Sequence, residues 1–247
     1  MIKFFRRIRQ RLLSENKFSK YLLYATGEIV LVVIGILIAL SINNWNINRI
    51  SDRQMTTYLG SLKNDLKIDT LNFSKAIKIY EYSVDIRNSL MPLSNYENIP
   101  ADSILQLIVP YYSNQRLVTN TFNKITNSGI TQISKNDSLS QKIYDYYTTN
   151  LEKFHRSLDW DKEKTTVDAD YWIYGQNLFE IKWTNGIKLQ DGDTGRENLI
   201  KLISEPKGRN HLNLAHLRKK SVLANYLDTK KIAEELIAEI EEELDND

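Results

Sequence analysis

One stretch constrains this chain more than any other, the apolar run YLLYATGEIVLVVIGILIALSINNW at residues 21–45. Residues 29–40 contain no charged or polar side chain. As a helix, residues 21–42 would be about 33 Å long, which matches the roughly 30 Å hydrocarbon core of a bilayer. The run therefore predicts one transmembrane helix, with a single carboxylate, Glu28, inside it.

The charges around this run are unevenly distributed. Residues 1–20 carry seven Lys and Arg against one Glu, although the net charge of the whole chain is only +2. By the positive-inside rule, a basic flank of this kind stays in the cytoplasm. We therefore expect a cytoplasmic arm at 1–20, a transmembrane helix at 21–45 and a periplasmic domain at 46–247, in a bacterial inner membrane.

A cleaved signal peptide is the competing interpretation of the apolar run. Ala39-Leu40-Ser41 resembles a small-x-small cleavage site. However, about 28 residues precede the apolar core, whereas a complete signal peptide has only about 15–30 residues. We therefore expect an uncleaved anchor.

The segment before the span, IKFFRRIRQRLL at residues 2–13, is basic and amphipathic. Such a helix lies in the headgroup region of a membrane, with its arginines on anionic lipid. Nucleic-acid binding is the alternative use of these arginines, and we do not expect it because the segment adjoins a span. The predicted membrane-surface residues are Arg6, Arg7, Arg9 and Arg11.

Glu28 and the small residues of the predicted span share one helical face. Glu28, Gly35 and Ile42 are seven residues apart, and Gly35 and Ala39 form a small-xxx-small pair. Small residues let two helices approach closely, and carboxylates inside membranes usually face protein or water. The pattern predicts that the span self-associates through these four residues, with Glu28 protonated or hydrogen-bonded. The alternative is that Glu28 snorkels toward the cytoplasmic headgroups.

The chain after the span predicts a helical domain. Nine Gly and four Pro in 247 residues favour long helices over many short strands. A heptad-like stripe, broken only by Asp69, follows the span and ends before Pro92, which indicates a coiled-coil-like helix suited to self-assembly. The stripe consists of Met55, Leu59, Leu62, Leu66, Phe73, Ile77, Tyr80 and Val84.

Further along, capping residues and periodicity predict more helices and one small hairpin. The acidic and aromatic stretch at 160–174 is expected to be a solvated helix face with its aromatic rings turned inward. A hairpin near 179–189 follows from alternating residues beside several glycines. The fold class is therefore mainly α, with a helical bundle after the span. The expected helices lie at 102–109, 117–128, 137–174, 196–204 and 212–244.

No motif in this sequence carries a known chemistry. The absence of Cys excludes disulfides, thiolate metal sites and cysteine nucleophiles. His211 and His216 are five residues apart and face different sides of a helix, which argues against a metal site. Residues 191–197 resemble the start of a calcium loop but lack its later Gly and acid, so we expect an ordinary turn. We expect no enzyme activity, cofactor or metal.

The opening residues resemble those of an uncharacterised family of Bacteroidota membrane proteins. The similarity rests on MIKFFRRIRQRLL at 1–13 and on the GEI, the apolar run and the INNWN exit within 19–46. Two looser blocks are similar as well, TFNKITNSGITQISKNDSLSQKIYDYY at 121–147 and LIAEIEEEL at 236–244. The resemblance implies a single-span inner-membrane protein with a periplasmic helical domain. It implies no activity and assigns no role to any residue.

Three functions remain open from the sequence. The first is a non-enzymatic membrane protein whose periplasmic bundle assembles with itself or with a membrane-protein partner. The second is a sensor-like bundle that binds a ligand and signals through a partner, an analogy of architecture only. The third is a periplasmic hydrolase on a membrane anchor, which no motif supports.

Overall fold

The computed structural model describes residues 18–190 and 192–246. The chain divides into two compact units, residues 1–55 and 56–247. The predicted basic arm, with Arg6, Arg7, Arg9 and Arg11, lies outside the described residues, as does Asp191 at the start of the predicted turn.

Helix α1 runs from Phe18 to Leu90 and contains all the described residues of the first unit. Among the described residues, it is the one helix long and apolar enough to cross a membrane. Its position near the N-terminus fits either a membrane span or a signal sequence. The prediction of a long apolar helix at this place is therefore confirmed.

The second unit contains the remainder of α1 and a series of shorter elements. Two π-helical turns, Tyr146–Asn150 and Asp170–Tyr174, precede and follow α5. Most of the described chain is helical, with one small antiparallel sheet, as the sequence predicts. The elements are α2 (Ala101–Leu105), α3 (Asn120–Asn127), α4 (Asp137–Asp145), α5 (Leu151–Ala169), β1 (Ile181–Thr184), β2 (Gly186–Leu189), α6 (Gly192–Ser204) and α7 (Pro206–Asp245).

Local sequence signals explain several of these boundaries. The Asn136 side chain accepts hydrogen bonds from the backbone N–H groups of Ser138 and Leu139, at 2.9 and 3.3 Å, and so caps α4. Gly129 follows α3 with a φ of +71°, the left-handed conformation that glycine adopts most easily. Strands β1 and β2 pair in the predicted hairpin, with Lys182 opposite Lys188.

Other boundaries differ from the predicted ones. Helix α7 begins at Pro206, six residues before the predicted start at Leu212. The fixed φ of Pro206 suits the first turn of a helix, where its missing N–H costs nothing, so the helix can begin there. Helix α2 has only five residues and ends at Leu105 rather than at residue 109, and α3 begins at Asn120 rather than at residue 117.

From Leu59 onward, the heptad-like stripe of α1 is buried inside the second unit. Its residues from Leu59 to Tyr80 belong to one apolar cluster that α4, α5 and α7 complete. Leu66, Phe73 and Tyr80 have no exposed surface. The stripe therefore packs against helices of its own chain and needs no second copy to be buried. The partners in the cluster include Leu139, Ile143, Phe154, Leu158, Val222, Tyr226, Leu236 and Ile240.

A second apolar cluster gathers around α2, the hairpin and α6. Trp172, with 1% of its surface exposed, is the largest side chain in it. The cluster also takes in the end of α1 and the first turns of α7, through Leu90 and Leu212. The two clusters together form the interior of the second unit, and the charged groups described below contact members of both.

Asp69 interrupts the α1 stripe and is nevertheless fully buried. Its two carboxylate oxygens accept the backbone N–H of Val118 at 3.1 and 3.3 Å. One turn earlier, Asp65 accepts the N–H of Thr121 at 3.3 Å. Burial raises the pKa of Asp69 to about 7, the Val118 N–H opposes this rise, and Asp65 adds to it. The two acids thus hold the segment that leads into α3.

We expect Asp69→Asn to stabilise the protein at alkaline pH. The folded state binds the Asp69 proton more tightly than the unfolded state, whose carboxyl titrates near pH 4. The resulting stability is complete below about pH 4 and is lost as the pH rises through about 7. Asparagine keeps an oxygen for the Val118 N–H and removes the buried charge.

Chemical unfolding of the full chain in detergent at pH 5 and pH 8 measures this effect. The variant should have the higher free energy of unfolding at pH 8 and a smaller difference between the two pH values. Asp85→Asn, at an exposed position on the same helix, is the control and should change neither. An Asp69→Asn protein that is less stable than the wild type at pH 8 would contradict the expectation.

Candidate functional site

Helical periodicity brings five polar side chains to one place in the second unit. Asp161, Thr165 and Asp168 follow one another at spacings of four and three on α5, in line with the buried apolar residues of that helix. Arg218 and Lys219 occupy the buried face of α7. Residues three and four apart share a helical face, so the two groups meet where α5 and α7 pack.

Asp161 lies at the centre of this cluster and has no exposed surface. Lys219 Nζ donates to its two carboxylate oxygens at 2.7 and 2.9 Å. Arg218 Nε donates to one oxygen at 2.9 Å, and the Tyr80 hydroxyl donates to the other at 2.6 Å. Charge-assisted hydrogen bonds of this kind are about twice as strong as neutral ones. One carboxylate therefore links α1, α5 and α7.

Lys219 is almost completely enclosed. Besides Asp161, its ammonium donates to the Tyr111 carbonyl oxygen and to Thr165 Oγ1, the latter at 3.2 Å. It also lies 5.4 Å from the ring centre of Tyr80, within cation–π range. Burial lowers the pKa of Lys219 to about 8, against the opposing effect of Asp161. The amine is thus mostly protonated at neutral pH, and its ordinary hydration is replaced by protein oxygens.

Asp168 extends the cluster toward the surface. Arg218 donates to one of its oxygens at 2.6 Å, and His211 Nδ1 lies 2.9 Å from the other. The His211 ring stacks on Tyr171 with ring centres 4.2 Å apart and planes 6° from parallel. The Lys207 ammonium lies 4.8 Å from the centre of the Tyr171 ring. This edge therefore forms a layered arrangement of charged and aromatic groups.

A chain of hydroxyl groups leads from Asp161 in another direction. The backbone N–H of Ser113 donates to the Tyr80 hydroxyl at 3.2 Å, and the Tyr226 hydroxyl donates to Ser113 Oγ at 2.8 Å. Burial, followed by the charge of Asp161, raises the pKa of Tyr80 far above its ordinary value. Ser113 also borders a polar hollow of about 270 Å³ that contains His155.

Arg87, near the end of α1, is the third buried cation of the region, with 4% of its surface exposed. It donates to the carbonyl and hydroxyl oxygens of Ser83 at 2.8 and 2.6 Å and to the carbonyl of Leu107 at 2.9 Å. Burial lowers its pKa to about 10, and the charge of Arg218 contributes to the same effect. All its partners are neutral, in contrast to those of Arg218.

The predicted face of the apolar helix lies in the first unit. Gly35, Ala39 and Ile42 are exposed on α1, and Glu28 is partly exposed. A Cβ added to Gly35 would meet no atom within 4 Å. Other parts of the described chain therefore leave the small residues of this face uncovered. The role of the face in assembly stays a prediction. No group of three or more His, Asp and Glu side chains within the described ranges is arranged to hold a metal ion.

The cluster around Asp161 was not predicted from the sequence. The prediction that 160–174 forms a solvated helix face with its aromatic rings turned inward is wrong for several residues. Asp161 is buried, whereas Trp160 and Tyr174 are 40% and 79% exposed. The sequence does contain a signal for this cluster. Asp161 lies three residues after the buried Leu158, which is the spacing of one helical face, and Lys219 lies on the same face as the buried Ala215 and Val222. Charged residues at buried helix positions of this kind can pair with each other where two helices pack.

We expect Asp161→Ala to destabilise the bundle severely. The substitution would leave Lys219 and part of Arg218 without their carboxylate in a dry interior, which typically costs about 3–5 kcal/mol. Asp159→Ala, two residues earlier on an exposed position, is the matched control and should change the free energy of unfolding by less than about 0.5 kcal/mol. Denaturant unfolding of both variants checks this, and equal effects would contradict it.

Comparison with known proteins yields a family but no characterised relative. A family model described as a family of unknown function (DUF6090) matches residues 28–164, which is just over half of the chain. No curated protein matches the chain, and no solved structure does. The matched region includes Asp161 and ends before α7, which supplies its two cationic partners.

Proposed function

Because the chain belongs to the DUF6090 family of unknown function, we propose its function from its own architecture. We propose a non-enzymatic, single-span protein of the inner membrane of a member of the Bacteroidota. Its basic arm lies on anionic headgroups, its span anchors a periplasmic helical bundle, and the protein assembles with a second copy or with another membrane protein.

The exposure of the apolar part of α1 carries this proposal. Every residue from 29 to 42 is exposed, including Leu31 at 72% and Ile42 at 62%. Exposed apolar surface is unfavourable in water by about 25 cal/mol per Å², and soluble monomers rarely expose large continuous patches. A bilayer removes this penalty, and a helix satisfies its own backbone groups there. The basic residues 1–20 favour a cytoplasmic N-terminus.

We expect the apolar helix to be retained as an anchor. A chain with a C-terminal tag, expressed in a bacterial cell, should sediment with membranes after an alkaline carbonate wash and keep its full size. Protease added to spheroplasts should remove the tag from the periplasmic side. A soluble product shortened by about 4 kDa would instead show a cleaved signal peptide.

Support for assembly comes from the span rather than from the α1 stripe. The stripe is buried by helices of its own chain, so its periodicity no longer points to a second copy. The face with Gly35 and Ala39 still does, because small residues permit close helix contact in lipid. Glu28 lies on the same face, and carboxylates inside membranes usually face protein or water.

We expect Ala39→Leu to weaken self-association about tenfold, the effect of losing roughly 1–2 kcal/mol of helix contact. Ser41→Leu is the matched control, because it also adds a large residue but lies about 200° around the helix. Cross-linking of the full chain in bilayers at several protein-to-lipid ratios measures the effect. A monomeric wild type, or equal losses in both variants, would contradict assembly through this face.

A sensor-like ligand-binding bundle is the second candidate, and one hollow favours it. The hollow has a volume of about 330 Å³ and lies in the second unit, between the loop after α1 and helices α6 and α7. Its size is at the lower end of the range for small-molecule sites. A thermal-shift screen with small metabolites separates the candidates, because only a sensor should be stabilised. The third candidate, an anchored hydrolase, gains no support from the described residues.

A further inference from the structure

The hollow between the loop after α1 and helices α6 and α7 has a largely apolar wall. Its volume is about 330 Å³. Tyr96, Ile203 and Leu212 are buried members of the second apolar cluster and contribute the buried part of this wall. Met91 and Leu93 line it as well, and Leu93 is still 40% exposed. Because exposed apolar surface is unfavourable in water, a ligand with an apolar body would be stabilised by covering these side chains.

The polar part of the lining carries a single charge. Among the described residues that line the hollow, Arg209 is the one charged residue. It is exposed on the first turns of α7, and within the described ranges its guanidinium forms no ion pair. Ser94, Ser204 and Asn213 are exposed too and offer hydroxyl and amide groups. The described lining therefore has one cation and no carboxylate.

The loop on one side of the hollow is held in place from α6. Arg196 donates hydrogen bonds to the backbone carbonyl oxygens of Tyr96, Glu97 and Ile99, the last two at 2.7 and 3.3 Å. Small-molecule sites are usually largely preformed, are lined mainly by apolar and aromatic side chains, and owe their specificity to a few polar groups. The hollow has each of these properties.

We propose that this hollow binds a compact monocarboxylic acid with an apolar body. The body lies against Leu93, Ile203 and Leu212, and the carboxylate accepts hydrogen bonds from the Arg209 guanidinium, whose parallel N–H groups match the two carboxylate oxygens. One cation suits one negative charge. Amines and amino acids fit less well, because no acid in the described lining pairs with an ammonium group, and polyphosphates carry more charge than one arginine neutralises.

This ligand site goes beyond the proposed anchoring and assembly, because it gives the bundle a ligand of its own. It also names the class of ligand for the second candidate, the sensor-like bundle. The two proposals fail separately. Carbonate extraction and cross-linking test the anchor and the assembly, and neither depends on whether the hollow binds a small molecule.

Isothermal titration calorimetry of the full chain in lipid nanodiscs tests the site at pH 7. The probes are hydrocinnamate and its neutral isostere hydrocinnamamide, with empty nanodiscs as the blank for partition into lipid. Hydrocinnamate should bind saturably, one molecule per chain, and about fivefold more tightly than the amide, which is the upper range for an ion pair at an exposed position. Phenylalanine, which adds an ammonium group to the same body, should bind more weakly than hydrocinnamate.

Arg209→Gln should remove the preference for the acid. The variant keeps a polar side chain at an exposed position, so it should bind hydrocinnamate as weakly as the amide, with the affinity for the amide unchanged. Arg156→Gln is the matched control, because Arg156 is an exposed arginine of α5 that does not line the hollow and pairs with Glu152 at 3.6 Å. It should keep the full preference of the wild type.

Three results overturn the proposal. The first is the absence of saturable heat when hydrocinnamate is added to the wild type. The second is equal affinity of the wild type for the acid and the amide, which needs no variant. The third is an Arg209→Gln protein that unfolds at the wild-type temperature and still prefers the acid.

Discussion

The carboxylate of Asp161 ties together the three long helices of the second unit. It accepts hydrogen bonds from Tyr80 on α1 and from Arg218 and Lys219 on α7, while α5 carries it. Removing these charges from water offsets much of their mutual attraction, so the net contribution of such a cluster to stability is small. Loss of one partner is far more unfavourable, because the remaining charges stay buried.

The intact cluster adds little net stability, but loss of one partner is costly, and this difference indicates what the cluster does for the fold. The buried residues of α7 recur at spacings of three and four, from Leu212 through Val222 to Ile240. Such a stripe can slide by seven residues and still bury apolar side chains. A slide of this size would remove Lys219 from Asp161 and leave both charges unpaired. The pairing of Lys219 with Asp161 therefore disfavours this shift, which the apolar residues alone would tolerate.

The sequence predicts where the helices and strands of this fold lie better than it predicts which of them pack together. The apolar helix, the cap at Asn136, the turn at Gly129 and the hairpin follow from local chemistry. The burial of the α1 stripe within its own chain does not, because periodicity shows which face is buried but not what covers it. Asp69 illustrates the limit, since its partner Val118 lies 49 residues away. Likewise, Asp161 and Lys219 are 58 residues apart, and neither position alone distinguishes a buried pair from an exposed charge.

The two units divide the proposed function between them. The bundle buries its own stripe, while the apolar helix of the first unit leaves a face of small residues open. The most direct measurement is the composition of the native complex, extracted from native membranes in lipid nanodiscs and weighed by native mass spectrometry. The proposed function predicts a membrane-bound complex that contains two or more copies of the chain, or one copy with another membrane protein. A single chain without a partner, or a chain recovered from the soluble fraction, would contradict it.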